Sequence, residues 1–444
     1  MRSSAGRFVG NAYDSDNNNC KVMVLSTREQ HIRRDKATSN ICSNQSFIAT
    51  AIGAALLAKG SEGLTQTYKY IEATTKKCLD TLTQFKGVEL AFPHSPIVNE
   101  FVLKLPMEAE EFITKAKNDG ILVGVNVSKR VSKSANNYLL ISISDVHTET
   151  ELNQLYGFFK KTLGEPSGTI QKRNIEIPAA YINQEKIRIK KFSFAELKNF
   201  YDKLGEQNVS PDNNIYPLGS CTMKYNPYIN DWAASLTGFT NSHPEAPESE
   251  VQGNLEVLYE IQEFFKNLTG LPAVTTQPVA GAHGELCGMK MFQAYHKNNN
   301  EDRDIVIISA SAHGTNPATV SMAGIETKVG VKGLVIVEAN EHGLIKLDQL
   351  KELVEKYNKR ICGIMITNPN TSGLFEVEFK KISDLIHSVG GLVYLDGANM
   401  NAISGYLNLA KMGVDAVHNN LHKTWSIPHE GGGPGDGIRP FQIS

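Results

Sequence analysis

No CxxC pair occurs among the six cysteines of this 444-residue chain, Cys20, Cys42, Cys78, Cys221, Cys287 and Cys362. Their scatter excludes a zinc ribbon and a thioredoxin-type redox pair and makes free thiols in a reducing compartment the default. HExxH, GxSxG and GxxxxGK[ST] are absent, as is GxGxxG after a strand, so metal and nucleotide chemistry find no positive support and no metal is expected. Charge of one sign is missing as well. Lys plus Arg total 45 against 47 Asp plus Glu, which argues against the clustered positive surface that nucleic acid requires. The longest apolar run, Phe47–Ala58, falls far short of the ~20 residues that span a bilayer. It reads as a buried helix, and no membrane partner is expected. The opening MRSSAGRFVG lacks the apolar core of a secretory signal, so the protein is not read as secreted. Its basic, Ser-rich makeup leaves a short transit peptide open.

What is present is an ordinary globular balance, 41% hydrophobic and 21% charged, in a length that suits about three domains of ~150 residues. Helical spacing over 45–59 and 64–85, β-rich alternation over 98–104, a helix over 108–118, strands over 121–127 and 138–144, and a helix over 148–163 predict a small α/β domain. Residues 166–184 read as a linker, 194–204 as a helix, and 208–250, dense in Pro, Asn, Ser and Gly, as an ordered functional loop. From about residue 254 short apolar strands (305–309, 333–338, 363–367, 391–396, 416–419) alternate with helices (284–297, 347–357, 378–389, 406–412). That alternation predicts a mostly parallel sheet covered on both faces. The expected division is 1–165, 166–253 and 254–444.

Ligands of such sheets sit beyond the carboxyl ends of the strands, and the chemistry-bearing residues fall there. Lys423 follows the last predicted strand. Alone it would read as a surface lysine; beside His422 and the Gly-rich loop 429–435 it suits a Schiff-base amine, which partial burial near cations makes easier to deprotonate. Asp396 ends the preceding strand, 27 positions earlier. It suits a carboxylate paired with a protonated pyridine nitrogen, or a plain helix N-cap. His313, after strand 305–309, suits a ring stacked on a cofactor, or a turn histidine. The stretch PVAGAHG brings Gly281, Ala282 and His283 to a helix start, where free N–H groups and the helix dipole favour phosphate, although small residues open many helices. TNPNTSG (367–373) reads as a turn, with a ligand contact as its second reading.

Six motifs in one order, YPLGSCTMKYNP, QPVAGAHGE, SAHGTNPA, TNPNTSGLFE, LDGANMNA and LHKTWSIPH, closely resemble the catalytic half of the glycine decarboxylase P-protein of the glycine cleavage system. The likeness covers roughly residues 168–435. At the front, AGRFVG and TREQHIRRDKATSNICSNQ resemble the end of the non-catalytic half, which displaces the transit-peptide reading. The resemblance implies a fold-type-I pyridoxal-phosphate enzyme large domain preceded by a small α/β domain. It implies pyridoxal 5'-phosphate held covalently on Lys423, Asp396 opposite the pyridine nitrogen, His313 stacked on the ring, and Gly281, Ala282, His283 and His422 around the phosphate. It further implies glycine as substrate, lipoylated H-protein as substrate and partner, the other glycine cleavage components, and a homodimer or a heteromer of halves. The compartment would be cytoplasm in a bacterium and mitochondrion in a eukaryote. The likeness begins late and stops after Gly435, and Glu430 stands where the family usually has glycine. The chain therefore reads as an interior piece, the end of the silent half plus most of the catalytic large domain, that binds cofactor weakly or not at all by itself. An inactive fragment and another fold-type-I enzyme are the competing readings.

Overall fold

The computed structural model describes residues 8–24, 46–168, 188–207, 227–243, 246–325, 333–425 and 437–441. The chain folds as two compact units, residues 51–204 and residues 205–444 together with 1–50. Neither boundary expected at 165 and 253 marks a unit. The first unit runs past 165 because Phe192 N donates to Leu57 O and Ser61 N to Ile189 O, both at 3.0 Å, tying the later segment back to the long helix.

In the first unit the two helices expected over 45–59 and 64–85 join as one, Ser46–Leu82, with a break at Gly60. Gly60 has φ +62°, and a Cβ there would lie 2.7 Å from Lys191 Cβ, so only glycine suits the position. The run 47–58 is helical, but over 51–58 it is not buried as expected: Ile52 is 54% exposed and Leu56 37%. Half of residues 51–58 are alanine, which carries little area to bury. Four short strands, β3 (Glu89–Leu90), β4 (Glu100–Lys104), β5 (Val125–Asn126) and β6 (Tyr138–Ser142), form an antiparallel sheet in the order β3-β4-β6-β5. Helix Ala109–Asn118 presents Phe112, and helix Glu149–Leu163 presents Phe158 and Phe159, to one core. The Phe112 ring meets both at 5.0 and 4.9 Å, edge to face, an arrangement that adds to plain area burial. Thr148 and Glu151 close a capping box at the start of the last helix.

The second unit contains a hairpin, β1 (Phe8–Tyr13) with β2 (Asn19–Val24), and a seven-stranded sheet. The sheet is built from β7 (Ala273–Thr275), β8 (Ile305–Ser309), β9 (Leu334–Val337), β10 (Ile361–Thr367), β11 (Leu392–Asp396), β12 (Ala416–Asn420) and β13 (Gly437–Phe441). Its order is β7-β13-β12-β11-β10-β8-β9. Five neighbouring strands, β12 through β9, run parallel, and β13 is antiparallel to both β12 and β7.

Strands β8 to β11 are apolar up to the polar residues that close β8, β10 and β11, as suits a parallel sheet covered on both faces. Ile305, Ile307, Ile364, Ile366, Val393, Leu395 and Val417 face one core with helices Leu347–Tyr357 and Phe379–Ser388. Val306, Ile308, Met365, Tyr394 and Ala416 face the other with helices Gly281–Asn298 and Thr315–Met322. The chain passes outward from β8 to β9, then returns to β10 and continues through β11 and β12. The ends of β8 and β10 thus flank a topological switch point, where ligands of such sheets collect.

Residues 228–234 and 237–240, expected as loop, are short helices. Among the described residues no helix is long and apolar enough to cross a membrane. The Gly-rich loop 429–435, the front motif over 27–45 and most of YPLGSCTMKYNP lie outside the described residues.

Candidate active site

The carboxyl end of the parallel sheet brings most of the expected residues together. Asp396 is the last residue of β11 and is buried. Asn316 Nδ2 donates to its Oδ2 at 3.0 Å and Ala398 N to its Oδ1 at 3.1 Å. His418 Nε2, from β12, lies 3.3 Å from Oδ1. The imidazole of His418 is itself oriented: its Nδ1 is 2.7 Å from the Tyr394 hydroxyl, so Nε2 is the nitrogen left to face the carboxylate. Burial opposes ionisation of Asp396, but His418, the Asn316 amide, the Lys423 charge and the Ala398 N–H together hold it below the ordinary carboxylate range.

Lys423 is half-buried on the turn Leu421–Thr424 that follows β12. That turn is pinned from both ends. Met400 N donates to Thr424 Oγ1 at 2.8 Å, Trp425 Nε1 donates to Asn419 Oδ1, and the Trp425 ring packs edge-on against Phe264 and Phe265. His422, on the same turn, is buried.

Gly281, Ala282 and His283 form the first turn of helix Gly281–Asn298. This helix start closes on the end of β12. A Cβ at Gly281 would lie 2.3 Å from Asn420 Oδ1, and one at Gly284 would lie 3.1 Å from His418 Cβ. Gly281 is therefore required by close approach to the strand that leads to Lys423, and Gly284 packs tightly against the same strand. His313, beyond β8, is exposed, with Nδ1 2.7 Å from Thr315 Oγ1. The segment Thr367–Gly373 reaches a small cleft at the switch point, where Ser309, Ser311, Thr367, Asn370 and Glu376 meet.

Sequence reasoning missed the residue at the centre of this network. Glu285 is 2% exposed and accepts hydrogen bonds from Thr315 Oγ1 (2.6 Å), Asn316 Nδ2 (2.9 Å) and Thr319 Oγ1 (3.2 Å). Burial, then the nearby charge of Asp396, pushes its carboxyl up to about 8. Glu285, Asp396 and His418 place ligand atoms within 4.8 Å of one another. Asn316 Nδ2 donates into the gap between the two carboxylates, where a cation would have to sit, and the cluster reads as a hydrogen-bonded network. Glu285 and Asn316 stand inside the motifs QPVAGAHGE and SAHGTNPA, so the motifs were the available signal.

Several polar atoms at this edge are buried without a hydrogen-bond partner: Asn316 Oδ1, Thr367 Oγ1, Asn368 Nδ2 and Asn420 Oδ1. Such orphans are rare in folded proteins. With an ionised buried carboxylate and a glycine-lined helix start, they fit a polar group that carries its own donors and acceptors, as pyridoxal phosphate does.

Comparison with known proteins agrees with this class. Residues 287–428 match the aminotransferase class-V family, so the sheet has the fold of a fold-type-I α/β enzyme, a class that implies pyridoxal phosphate. Residues 1–159 match the glycine cleavage system P-protein family. A 275-residue stretch is 46% identical to "Probable glycine dehydrogenase (decarboxylating) subunit 2" of Staphylococcus aureus strain Newman, covering 61% of this chain and 54% of that protein. The protein of the same name from strain COL matches equally. A solved structure of "glycine decarboxylase (P-protein) of the glycine cleavage system, in inhibitor-bound form" aligns over 67% of this chain and 62% of its own, at 18% identity and TM-score 0.48. The front of the chain is thus similar to the glycine cleavage system P-protein family, and the chain spans about half the length of the curated relatives it matches.

Proposed function

We propose that this chain carries the pyridoxal-phosphate site of a glycine decarboxylase, an oxidoreductase that releases carbon dioxide from glycine and passes the aminomethyl group to the lipoyl arm of H-protein. The observation that carries the reading is the buried carboxylate of Asp396, held ionised one strand from Lys423. A buried charge is costly unless it is used or paired. Here His418 and Asn316 hold it in place.

Pyridoxal phosphate, when bound, supplies a conjugated ring that accepts the electron pair left as carbon dioxide departs. Lys423 would hold it covalently through the ε-amine. Asp396 would keep a proton on the ring nitrogen, His313 would cover a ring face, and Gly281, Ala282, His283 and His422 would receive the phosphate. Residues 1–165 are then the end of a non-catalytic half and 254–444 the cofactor-binding large domain. Lipoylated H-protein and the other glycine cleavage components are the partners, in a dimer of like or unlike halves. The compartment follows the organism, cytoplasm in a bacterium and mitochondrion in a eukaryote.

The class-V aminotransferase match over 287–428 favours a second reading, another fold-type-I enzyme. Exchange of labelled bicarbonate into glycine in the presence of lipoylated H-protein separates the two. Exchange dependent on H-protein supports glycine decarboxylation, whereas amino-group transfer to a keto acid without exchange overturns it.

A further inference from the structure

Glu285 lies in the second turn of helix Gly281–Asn298, behind the residues discussed above, and its nearest links lead to His313. Thr315 Oγ1 is 2.6 Å from Glu285 Oε1 and 2.7 Å from His313 Nδ1. The same Nδ1 receives the backbone N–H of Thr315 at 3.2 Å.

A hydroxyl has one proton to donate. If Thr315 gives it to a Glu285 carboxylate, His313 Nδ1 must carry a proton to donate to Thr315, and it then has no lone pair for the backbone N–H. If Nδ1 instead accepts from both the backbone and the hydroxyl, Thr315 must accept from Glu285, and that carboxyl must carry the proton. The two arrangements use the same atoms and differ by the place of one proton.

We propose that Glu285, Thr315 and His313 form a proton relay, in which Glu285 stores a proton behind the site and delivers it through the Thr315 hydroxyl to His313 Nδ1. In the transfer the Glu285 O–H bond breaks as Thr315 Oγ1 takes the proton. Thr315 releases its own proton to Nδ1 and ends as an intact hydroxyl. The products are a Glu285 carboxylate and a His313 ring protonated at Nδ1; no other reactant is needed.

The surroundings favour storage on Glu285. Asp396 faces it from the end of β11 across the Asn316 amide, and His418 faces it from β12, all within 4.8 Å. Lys423 acts on the Asp396 carboxylate. Burial and the Asp396 charge raise Glu285 to about 8, so the neutral carboxyl prevails at neutral pH. The relay rests on the proposed site only for its use: a ring covering the cofactor would change charge without drawing a proton from bulk water.

The test is the His313 tautomer in the full chain labelled with 15N-histidine, followed by long-range proton–nitrogen spectra across pH without cofactor. Wild type is expected to show Nδ1 as an acceptor at neutral pH and a step to protonated Nδ1 as pH passes through about 8. Thr315→Val and Glu285→Gln should lose the step, and Thr315→Ser should keep it. An identical His313 titration in wild type and Thr315→Val overturns the relay. Should Glu285→Gln fail to fold, the two Thr315 variants still decide. Pyridoxal phosphate is then added to the same samples. A tautomer step without cofactor binding removes the site reading and leaves the relay, and binding without the step does the reverse.

Discussion

The two ends of the parallel sheet are built from similar residue types to opposite purposes. At the amino ends of the strands charged groups serve as staples. Arg360 pairs with Asp304 through two hydrogen bonds of 2.9 and 2.8 Å. Arg303, its side chain 5% exposed, donates to Ile361 O, Val389 O and Glu301. His296 bridges Glu301 and Cys362 O, and Asp415 joins His387 to Val393 N. At the carboxyl ends, by contrast, Asp396 and Glu285 are buried together although like charges disfavour it, and polar atoms are left over. Staples satisfy their own backbone; a binding edge keeps unmet capacity for something else.

Substitutions at the two ends should separate these purposes. The largest expected effect is on chemistry: Asp396→Asn removes the ionised partner and should lower glycine–bicarbonate exchange by about 10²–10³-fold, measured with saturating cofactor and H-protein, while costing less stability than the next change. Arg303→Ala strips hydrogen bonds from two carbonyls and one carboxylate and should destabilise by about 3 kcal/mol, read from the urea midpoint, with cofactor affinity of the folded fraction unchanged. If Arg303→Ala weakens cofactor binding as much as Asp396→Asn, the contrast between the ends is lost. Gly281→Ala drives a methyl into Asn420. Overpacking of this kind costs about 1–3 kcal/mol, and the accompanying loss of cofactor affinity should appear in equilibrium titration.

The smallest effect is in the pH dependence of stability, where Glu285 and Glu301 have opposite signs. Glu285 is raised from 4.5 to about 8, so its contribution is full below 4.5 and declines as pH rises through 8. Glu301, held down to about 2 by Arg303 and His296, contributes above 4.5 and loses its contribution as pH falls toward 2. Glu285→Gln should therefore flatten the alkaline limb of unfolding midpoint against pH, and Glu301→Gln the acid limb. His387 is raised by Asp415 and declines in the same direction as Glu285, so the alkaline limb is reduced rather than abolished. An acid-limb change in Glu285→Gln would contradict this assignment.

The parallel core was legible because its strands repeat a simple signal, an apolar run closed by a polar residue. Strand β8 and helix Leu347–Tyr357 fall at their expected bounds. Elements defined by distant pairing were not legible. Strand β7 is three residues long, and β13 contains Pro440, which a strand tolerates only where its missing N–H is not needed. Helix Thr315–Met322 went unread because Pro317 looks like a breaker, although proline is tolerated in a first turn. Of the strand expected over 121–127 only Val125–Asn126 pairs, because Gly124 sits at φ +145° with Leu140 O where a Cβ would be. The helix expected over 406–412 begins only at Leu409. At the site, Asp396 stood out because it ends a strand and Lys423 because it follows one. Glu285 and Asn316 sat inside their motifs, but with His418 they acquire meaning only when residues 22 to 80 positions apart are buried against one another.

The central claim is that the carboxyl edge of this sheet holds pyridoxal phosphate on Lys423. Its most direct test is a visible spectrum of the full chain with saturating pyridoxal phosphate, followed by borohydride reduction and peptide mapping. An imine absorption band and one reduced adduct, on Lys423, are predicted, with the adduct lost in Lys423→Ala. No band, or adducts spread over many of the chain's lysines, would contradict the account.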